Sequence, residues 1–511
     1  MRDRLLLLFI LLAGTALRLF RLGADSLWYD ETVSTLLAGS PLSELIRHTA
    51  ADIHPPLYYV LLRGWLIALG YPTGRADASG IGLEFVAGFF SLVFGVLLIA
   101  LTYALARRFV GPRAAPIAAA LVALSPYHIW YGQEVRMYTL GAGLGVVATM
   151  ALAAGIQRRP AGVGWRWWAV YAVAAAAGMY TLYYFAFLLI ALNGWALIRI
   201  ARGAEGRRGE SADLRIGPSA QRHSGELTGN FSPFISHLSP LLLANLAAAL
   251  LYAPWIPIAF RQATDPPVPP WRTAPTFLAS IAESWNALAL GQSAPAWTWP
   301  VAAAVLGVYV AGLAALANRR TSFHVSRLTF DVALLPIATF GPLLLILLIS
   351  LATPLYHVRY LFTYSPAFYV VWAAGLAWLW ALRRAWRLLA AAIAVGWLAA
   401  AAVSLHAFWF DPWYRPDDHR AAVRMLQARW RPGDVLLVNA GYVYPPLLTY
   451  WQGPVAARVR LTDPLPAPRP DAALVIVMTG HGDDALAPGQ RLGWGDPRSD
   501  FFAMPLADAD R

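Results

Sequence analysis

Apolar runs long enough to cross a bilayer recur from residue 5 to residue 409, and they restrict what this chain can fold into more than any single motif. Candidate spans lie at about 5–22, 81–106, 114–131, 137–156, 167–183, 185–200, 238–260, 298–318, 330–353, 361–381 and 388–409. Most approach the roughly 20 residues that a helix needs to cross the hydrocarbon core. Only 13% of the residues are charged and the mean hydropathy is +0.51, whereas a soluble protein carries about 25% charged residues. The expected fold class is an all-α polytopic membrane protein of about eleven transmembrane helices. The first run, "MRDRLLLLFILLAGTALRLFRLG", lacks a small-residue cleavage site and reads as an uncleaved first helix.

The formal net charge is +12 and the 40 basic residues are all arginine. Their positions predict orientation. With Arg2 and Arg4 placed on the cytoplasmic side, every later cluster between spans falls on that side: Arg107, Arg108 and Arg113, then Arg158, Arg159 and Arg166. Arg199, Arg202, Arg207 and Arg208 follow, then Arg319, Arg320 and Arg327, then Arg383, Arg384 and Arg387. A basic balance of this kind anchors a membrane protein and gives no sign of nucleic acid. The absence of cysteine excludes disulfides, thiolate metal sites and cysteine catalysis. The expected location is the inner or plasma membrane, multi-pass, with the N-terminus cytoplasmic.

The opposite side receives a different set of residues. The first outer loop, 23–80, has two short apolar stretches, "LWYDETVSTLLAG" and "PPLYYVLLRGWLIALG", whose spacing and length predict helices lying along the interface. Segment 276–290 predicts one more amphipathic helix, and 201–237 reads as a polar cytoplasmic linker. The predicted domains are a membrane catalytic unit, 1–410, and a small extracytoplasmic α/β domain, 411–511. In the latter, "DDHRAAVRMLQARW" reads as helix and "VLLVNAG" and "ALVIVM" as strands. No G-x-G-x-x-G or P-loop pattern marks a nucleotide site there.

Polar residues that gather on one face of a membrane protein are candidates for chemistry. Asp30 and Glu31 are adjacent acids that suit either a helix start or a general base, since partial desolvation raises a carboxyl pKa toward a useful value. Asp52 and His54, in "DIHPPLYY", sit on backbone stiffened by proline. Glu134, Arg136 and Tyr138 lie between two spans in "SPYHIWYGQEVRMYTL", and His357, Arg359 and Tyr360 end another outer segment. Arginine binds phosphate oxygens in bidentate fashion. Asp52, His54 and Glu134 are the candidate ligands should a divalent cation serve as cofactor. Tyr180, Tyr183 and Tyr184 fit an aromatic belt, and "HGDD" at 481–484 reads as a solvated turn.

Taken in order, "WYDE", "DIHPPLYY", "SPYHIWYGQEVRMYTL" and "HVRYL" resemble the GT-C-fold glycosyltransferases that use polyprenyl-phosphate sugars. The likeness is to the bacterial family 39 type, related to protein O-mannosyltransferases and lipid A aminoarabinose transferases. It covers about residues 1–410 and is strongest over 15–150. Val135 stands where the family stretch has alanine, and Leu182 where it has histidine. The resemblance implies a GT-C-like helical bundle with a cavity at the outer face. It implies Asp30 as catalytic base, with Glu31 and Glu134 supporting, and Asp52, His54, Arg136, Tyr138, His357, Arg359 and Tyr360 near the substrate. The implied partners are a polyprenyl-phosphate sugar donor, membrane lipids and an acceptor glycan, lipid or protein. A lipid-linked glycan polymerase or ligase, a polytopic lipid or sugar transporter, and a membrane scaffold are the competing classes. A transporter predicts polar residues at span centres and inverted repeats.

Overall fold

The protein was described from a computed structural model covering residues 2–76, 82–157, 164–213, 232–265, 275–318, 333–429, 435–438, 444–453, 457–458, 474–478 and 501–505. The first helix, α1 (Arg2–Leu19), leads into three short helices, α2 (Tyr29–Gly39), α3 (Leu42–Ala51) and α4 (Leu57–Ala68). The bundle continues with α5 (Leu83–Phe109), α6 (Ala114–Leu124), α7 (Pro126–Gln133), α8 (Tyr138–Gln157), α9 (Gly164–Thr181) and α10 (Phe185–Asp213). Then come α11 (Ser232–Tyr252), α12 (Ile256–Thr264), α13 (Phe277–Leu290), α14 (Trp299–Ala317), α15 (Leu334–Ser350), α16 (Val358–Leu361), α17 (Ser365–Ala381) and α18 (Arg384–Phe410). Helices α19 (His419–Arg429) and α20 (Tyr444–Tyr450) precede and interrupt four strands: β1 (Val435–Val438), β2 (Ala457–Arg458), β3 (Leu474–Met478) and β4 (Phe501–Pro505).

This is the expected multi-pass helical architecture. Each of the eleven expected spans corresponds to helix, and among the described residues six helices are long and apolar enough to cross a membrane on length and composition alone. Two expected spans are divided within their length, and a third, 361–381, opens on a 3₁₀ turn, Phe362–Tyr364. Residues 114–131 break between α6 and α7, where Pro126 cannot donate a backbone hydrogen bond and Ser125 Oγ caps α7 by accepting from the His128 amide. Residues 238–260 break at a 3₁₀ turn, Ala253–Trp255. In place of a linker starting at 201, α10 runs on to Asp213 and α11 starts at Ser232.

The break at Ser125 is held from inside the bundle. Arg18 on α1 is fully buried, and its guanidinium donates to the Ala123 and Val122 carbonyls at 3.0 Å each and to Gly14 at 2.9 Å. The Ala123 and Val122 carbonyls are ones that the end of α6 leaves without intrahelical partners. An arginine at this depth is therefore spent on capping, and it sets the direction in which α7 leaves.

In the loop 23–80, α2 and α4 are the two short helices expected there, while α3 was not read from the sequence. Arg63 on α4 donates to the Ala38 and Ser40 carbonyls at 3.1 and 2.5 Å, which closes the C-terminal end of α2. The predicted amphipathic segment 276–290 is α13. The C-terminal strands form one sheet of order β2-β1-β3-β4, with β1 parallel to both β2 and β3, and β4 antiparallel to β3. Thus β1 and β3 fall on the two stretches read as strands. The turn expected at "RPGD" and the "HGDD" segment lie outside the described residues.

Helices α14 and α17 approach closely enough that glycine is required at both crossing points. A Cβ on Gly312 would run into the Val371 carbonyl, and one on Gly375 into the Val308 carbonyl. Small residues let helix backbones touch where lipid supplies no hydrophobic drive for association. We expect Gly375→Ala to cost about 1–3 kcal/mol, read as a lower melting temperature in detergent. Gly396→Ala on α18, where nothing lies within 4 Å, should leave that temperature the same or slightly higher.

Candidate active site

Asp30 occupies the first turn of α2, two residues after Trp28. Glu31 follows it and folds back on the helix start: its Oε2 accepts from the Trp28 amide at 3.2 Å. Its other oxygen, Oε1, accepts from the Val135 amide at 2.9 Å. The second acid of the pair is thus a tie between α2 and the turn joining α7 to α8. That turn delivers Arg136, which is 3% exposed.

Asp30 Oδ2 receives two guanidiniums. Arg359 Nη1 donates to it at 3.1 Å, and Arg136 Nη2 lies 3.8 Å away. Oδ1 accepts no hydrogen bond among the described residues. The Asp30 side chain is 22% exposed, so it is both paired and reachable. Arg359 is aimed by its neighbours: His357 caps the short helix α16, its Nδ1 accepting from the Arg359 amide at 3.1 Å. The guanidinium also lies over the Trp28 ring, 5.5 Å from the centroid.

On the other flank, Arg136 Nη2 meets His54 Nε2 at 2.9 Å, and His54 Nδ1 meets Asp52 Oδ2 at 2.9 Å. A guanidinium can only donate. His54 Nε2 must therefore carry the lone pair, and Nδ1–H donates to the Asp52 carboxylate. A chain results: Asp52, His54, Arg136, Asp30, Arg359. Arg136 Nη1 adds contacts to the Asp30 carbonyl, the Tyr59 hydroxyl and Ser34 Oγ at 3.3, 3.4 and 3.5 Å.

Seven of the residues singled out in the sequence, Asp30, Glu31, Asp52, His54, Arg136, His357 and Arg359, are therefore joined in one network with Val135 and Trp28. Glu134 stands beside it, its Oε1 accepting from Trp130 Nε1 at 2.8 Å. Tyr138 is buried against Tyr131, with ring centroids 5.1 Å apart. Tyr360 is further removed in role: it stacks on Tyr184 at 3.8 Å, and the Tyr184 hydroxyl donates to the Leu355 carbonyl. Tyr183 bonds to Gln262, which in turn donates to the Thr49 and Ala50 carbonyls at 3.0 and 2.9 Å, just before Asp52. The tyrosines thus do more than form a belt, since one of them braces the Asp52 loop. Leu182 is buried core.

Burial shifts the acids. Removal from water pushes the Glu31 carboxyl from an ordinary 4.5 up to about 8, with the Glu134 charge adding to the effect against the two amide hydrogen bonds. Burial raises Glu134 as well. Asp52 moves the other way: burial is outweighed by the hydrogen bonds it accepts from His54 and the Ile53 amide. The donor set does not fit a divalent cation. His54 has both ring nitrogens engaged, one by a guanidinium, and no three histidine or acidic side chains come together as a metal site among the described residues.

The fold is that of the GT-C membrane glycosyltransferases. The aminoarabinose transferase ArnT from Cupriavidus metallidurans bound to undecaprenyl phosphate matches with a TM-score of 0.52 and 13% identity, over 89% of this chain and 86% of that one. Its apo form matches with a TM-score of 0.53 and 13% identity, over 88% and 84%. The oligosaccharyltransferase AglB from Archaeoglobus fulgidus aligns over 88% of this chain at 13% identity and a TM-score of 0.49, and this chain spans 63% of its length. Within the sequence, residues 54–204 match the family model described as dolichyl-phosphate-mannose-protein mannosyltransferase. No curated protein matches the sequence.

The Glu31 shift has a measurable consequence. Native Glu31 keeps its proton up to about pH 8, while the unfolded chain releases it above about 4.5. The contribution of this group to stability is therefore complete below 4.5 and is lost as pH rises toward 8. We expect the melting temperature to fall across that window in the wild type, and Glu31→Gln to flatten the fall while keeping an oxygen for one of the two amides. Parallel pH profiles for the two proteins would contradict the shift.

Proposed function

We propose that the chain is a membrane glycosyltransferase that moves a sugar from a polyprenyl-phosphate donor to an acceptor hydroxyl, with Asp30 as general base. The observation that carries this reading is the pairing of one reachable carboxylate with two buried guanidiniums, Arg359 and Arg136, in a GT-C fold. Those guanidiniums are also the groups suited to hold a phosphate.

In the reaction, the Asp30 carboxylate removes the acceptor O–H proton through Oδ1, the oxygen not engaged by arginine. The acceptor oxygen bonds to the anomeric carbon as the bond from that carbon to the phosphate oxygen breaks. The electron pair leaves with the polyprenyl phosphate, and the configuration inverts. The leaving group needs its charge stabilised more than it needs a proton, and Arg359 with Arg136 supplies that charge. A single base and one displacement need no covalent intermediate. Glu31, Asp52 and His54 hold the arginines and the base in place. The arginine distribution further supports a cytoplasmic N-terminus, with the site and the C-terminal domain on the opposite side. The acceptor is a glycan, lipid or protein hydroxyl.

In purified enzyme with a polyprenyl-phosphate sugar, Asp30→Asn should lower turnover by roughly 100- to 10,000-fold; wild-type turnover would remove Asp30 as base. Arg359→Ala should weaken donor binding, and an unchanged donor KM would count against its phosphate role. Because no cation site fits the donor set, activity should survive a chelator, and metal-restored loss would show a metal role that these side chains do not explain.

A further inference from the structure

A cavity of about 340 Å³ has Arg359 in its wall but neither His54 nor Asp52. It is walled by the end of α1, the start of α2, the end of α7, Gln292 and the segment 408–416. Arg359 borders it, whereas Asp30, Arg136, Asp52 and His54 do not line it.

The charges in its walls are already spent. Arg21 and Arg415 both pair with Asp25, at 3.6 and 2.5 Å, and Glu84 pairs with Arg420 at 3.0 Å. Glu31 has an amide on each oxygen. Two neutral-capable polar groups are left over. Glu134 uses only Oε1, toward Trp130, and Gln292 uses only its Oε1, accepting from the Tyr131 hydroxyl at 2.6 Å. Glu134 Oε2 and Gln292 Nε2 have no partner among the described residues, and neither is sealed from solvent. The turn that presents Gln292 needs a left-handed residue, Gly291 at φ +89°, and a Cβ there would meet Pro126 at 2.8 Å. The remaining surface is aromatic. Trp130 is braced by Phe408 in a stack with centroids 4.5 Å apart, and Tyr414 meets it edge-on.

A carboxyl and a primary amide with free hydrogen-bonding atoms stand here beside aromatic rings. This arrangement suits an uncharged ring with apolar C–H faces and an edge of hydroxyls. We propose that this cavity binds one pyranose ring, with Glu134 and Gln292 taking its hydroxyls and its reacting end toward Arg359. This deepens the glycosyltransferase reading and rests on it for the origin of the ring, which is either the donor sugar or a sugar of the acceptor.

Binding is tested apart from catalysis. The full chain in nanodiscs is probed by saturation-transfer NMR with the methyl glycosides of mannose, glucose and galactose, with glycerol as the control. At least one glycoside should receive saturation, and Gln292→Glu should weaken its binding by roughly tenfold, the loss of one hydrogen bond. That variant keeps an oxygen for Tyr131 but turns the free donor into an acceptor. If it does not fold, Tyr414→Ala at the rim takes its place, with the same expected loss. No transfer to any of the three glycosides, or equal affinity in variant and wild type, would overturn the proposal. In turnover assays, a KM raised for the lipid donor alone identifies the donor sugar and one raised for the acceptor alone the acceptor sugar; no change in either overturns the assignment. Glycoside binding in a protein that transfers no sugar would overturn the glycosyltransferase reading and leave the ring site standing.

Discussion

One carboxylate oxygen, Oδ2 of Asp30, holds two guanidiniums that reach it from opposite parts of the chain. Arg136 and Arg359 are separated by more than two hundred residues, and each is too buried to keep a full water shell. Two like charges come together at such a place only if something between them offsets both the repulsion and the lost hydration. Asp30 does this for both, and Asp52 shares the load on Arg136 through the neutral ring of His54. Other contacts serve to keep that oxygen where the guanidiniums meet. Arg63 closes the end of α2, Glu31 opens it, and His357 turns Arg359 toward it.

The adjacent acids Asp30 and Glu31 divide their work because a helix start gives successive residues different directions. Asp30, at the second position of α2, faces the arginines. Glu31, at the third, folds back on the Trp28 amide and reaches the Val135 amide in the next turn of the bundle. Desolvation of this buried acid, with the Glu134 charge beside it, outweighs its two amide hydrogen bonds and the Arg136 charge, which is why it holds its proton toward pH 8. The charged acid and the neutral one thus sit side by side, and the neutral one fixes the distance between the helix that carries Asp30 and the turn that carries Arg136.

Much of the bundle was legible because bilayer thickness sets a minimum apolar length for a crossing helix. The same regularity hides breaks. Nothing in the apolar run 114–131 except Pro126 betrays the corner at Ser125, and the group that stabilises that corner, Arg18, lies on another helix. Helix α3 was missed because "LSELIRHTAA" is too polar and short to stand out beside its apolar neighbours. In the site, Trp130 was within reach of the sequence, since it precedes Glu134 by one helical turn and bonds to it. Gln292 and Tyr59 were not, because the first arrives through a turn after α13 and the second through a helix read only as interfacial. Long-range partners of this kind leave no local spacing to detect.

The C-terminal segment supplies the last constraint on the site. Arg415 reaches Asp25 with two nitrogens, at 2.8 and 2.5 Å, and Arg420 bonds to Glu84 and to the Ala24 carbonyl. The Tyr450 hydroxyl accepts from the Leu27 amide, and the Thr449 carbonyl from the Ala76 amide. Both ends of the first loop are therefore tied to residues more than three hundred positions away, while its middle is tied to the bundle through Glu31 and Arg136. A loop of short helices at a membrane surface has little core of its own, and its backbone would otherwise sample many arrangements at small cost. Held from two sides, it presents Asp30 in one. The exposed ion pairs contribute little each, so the weight falls on the buried backbone bonds of Leu27 and on the packing of α20 against α2.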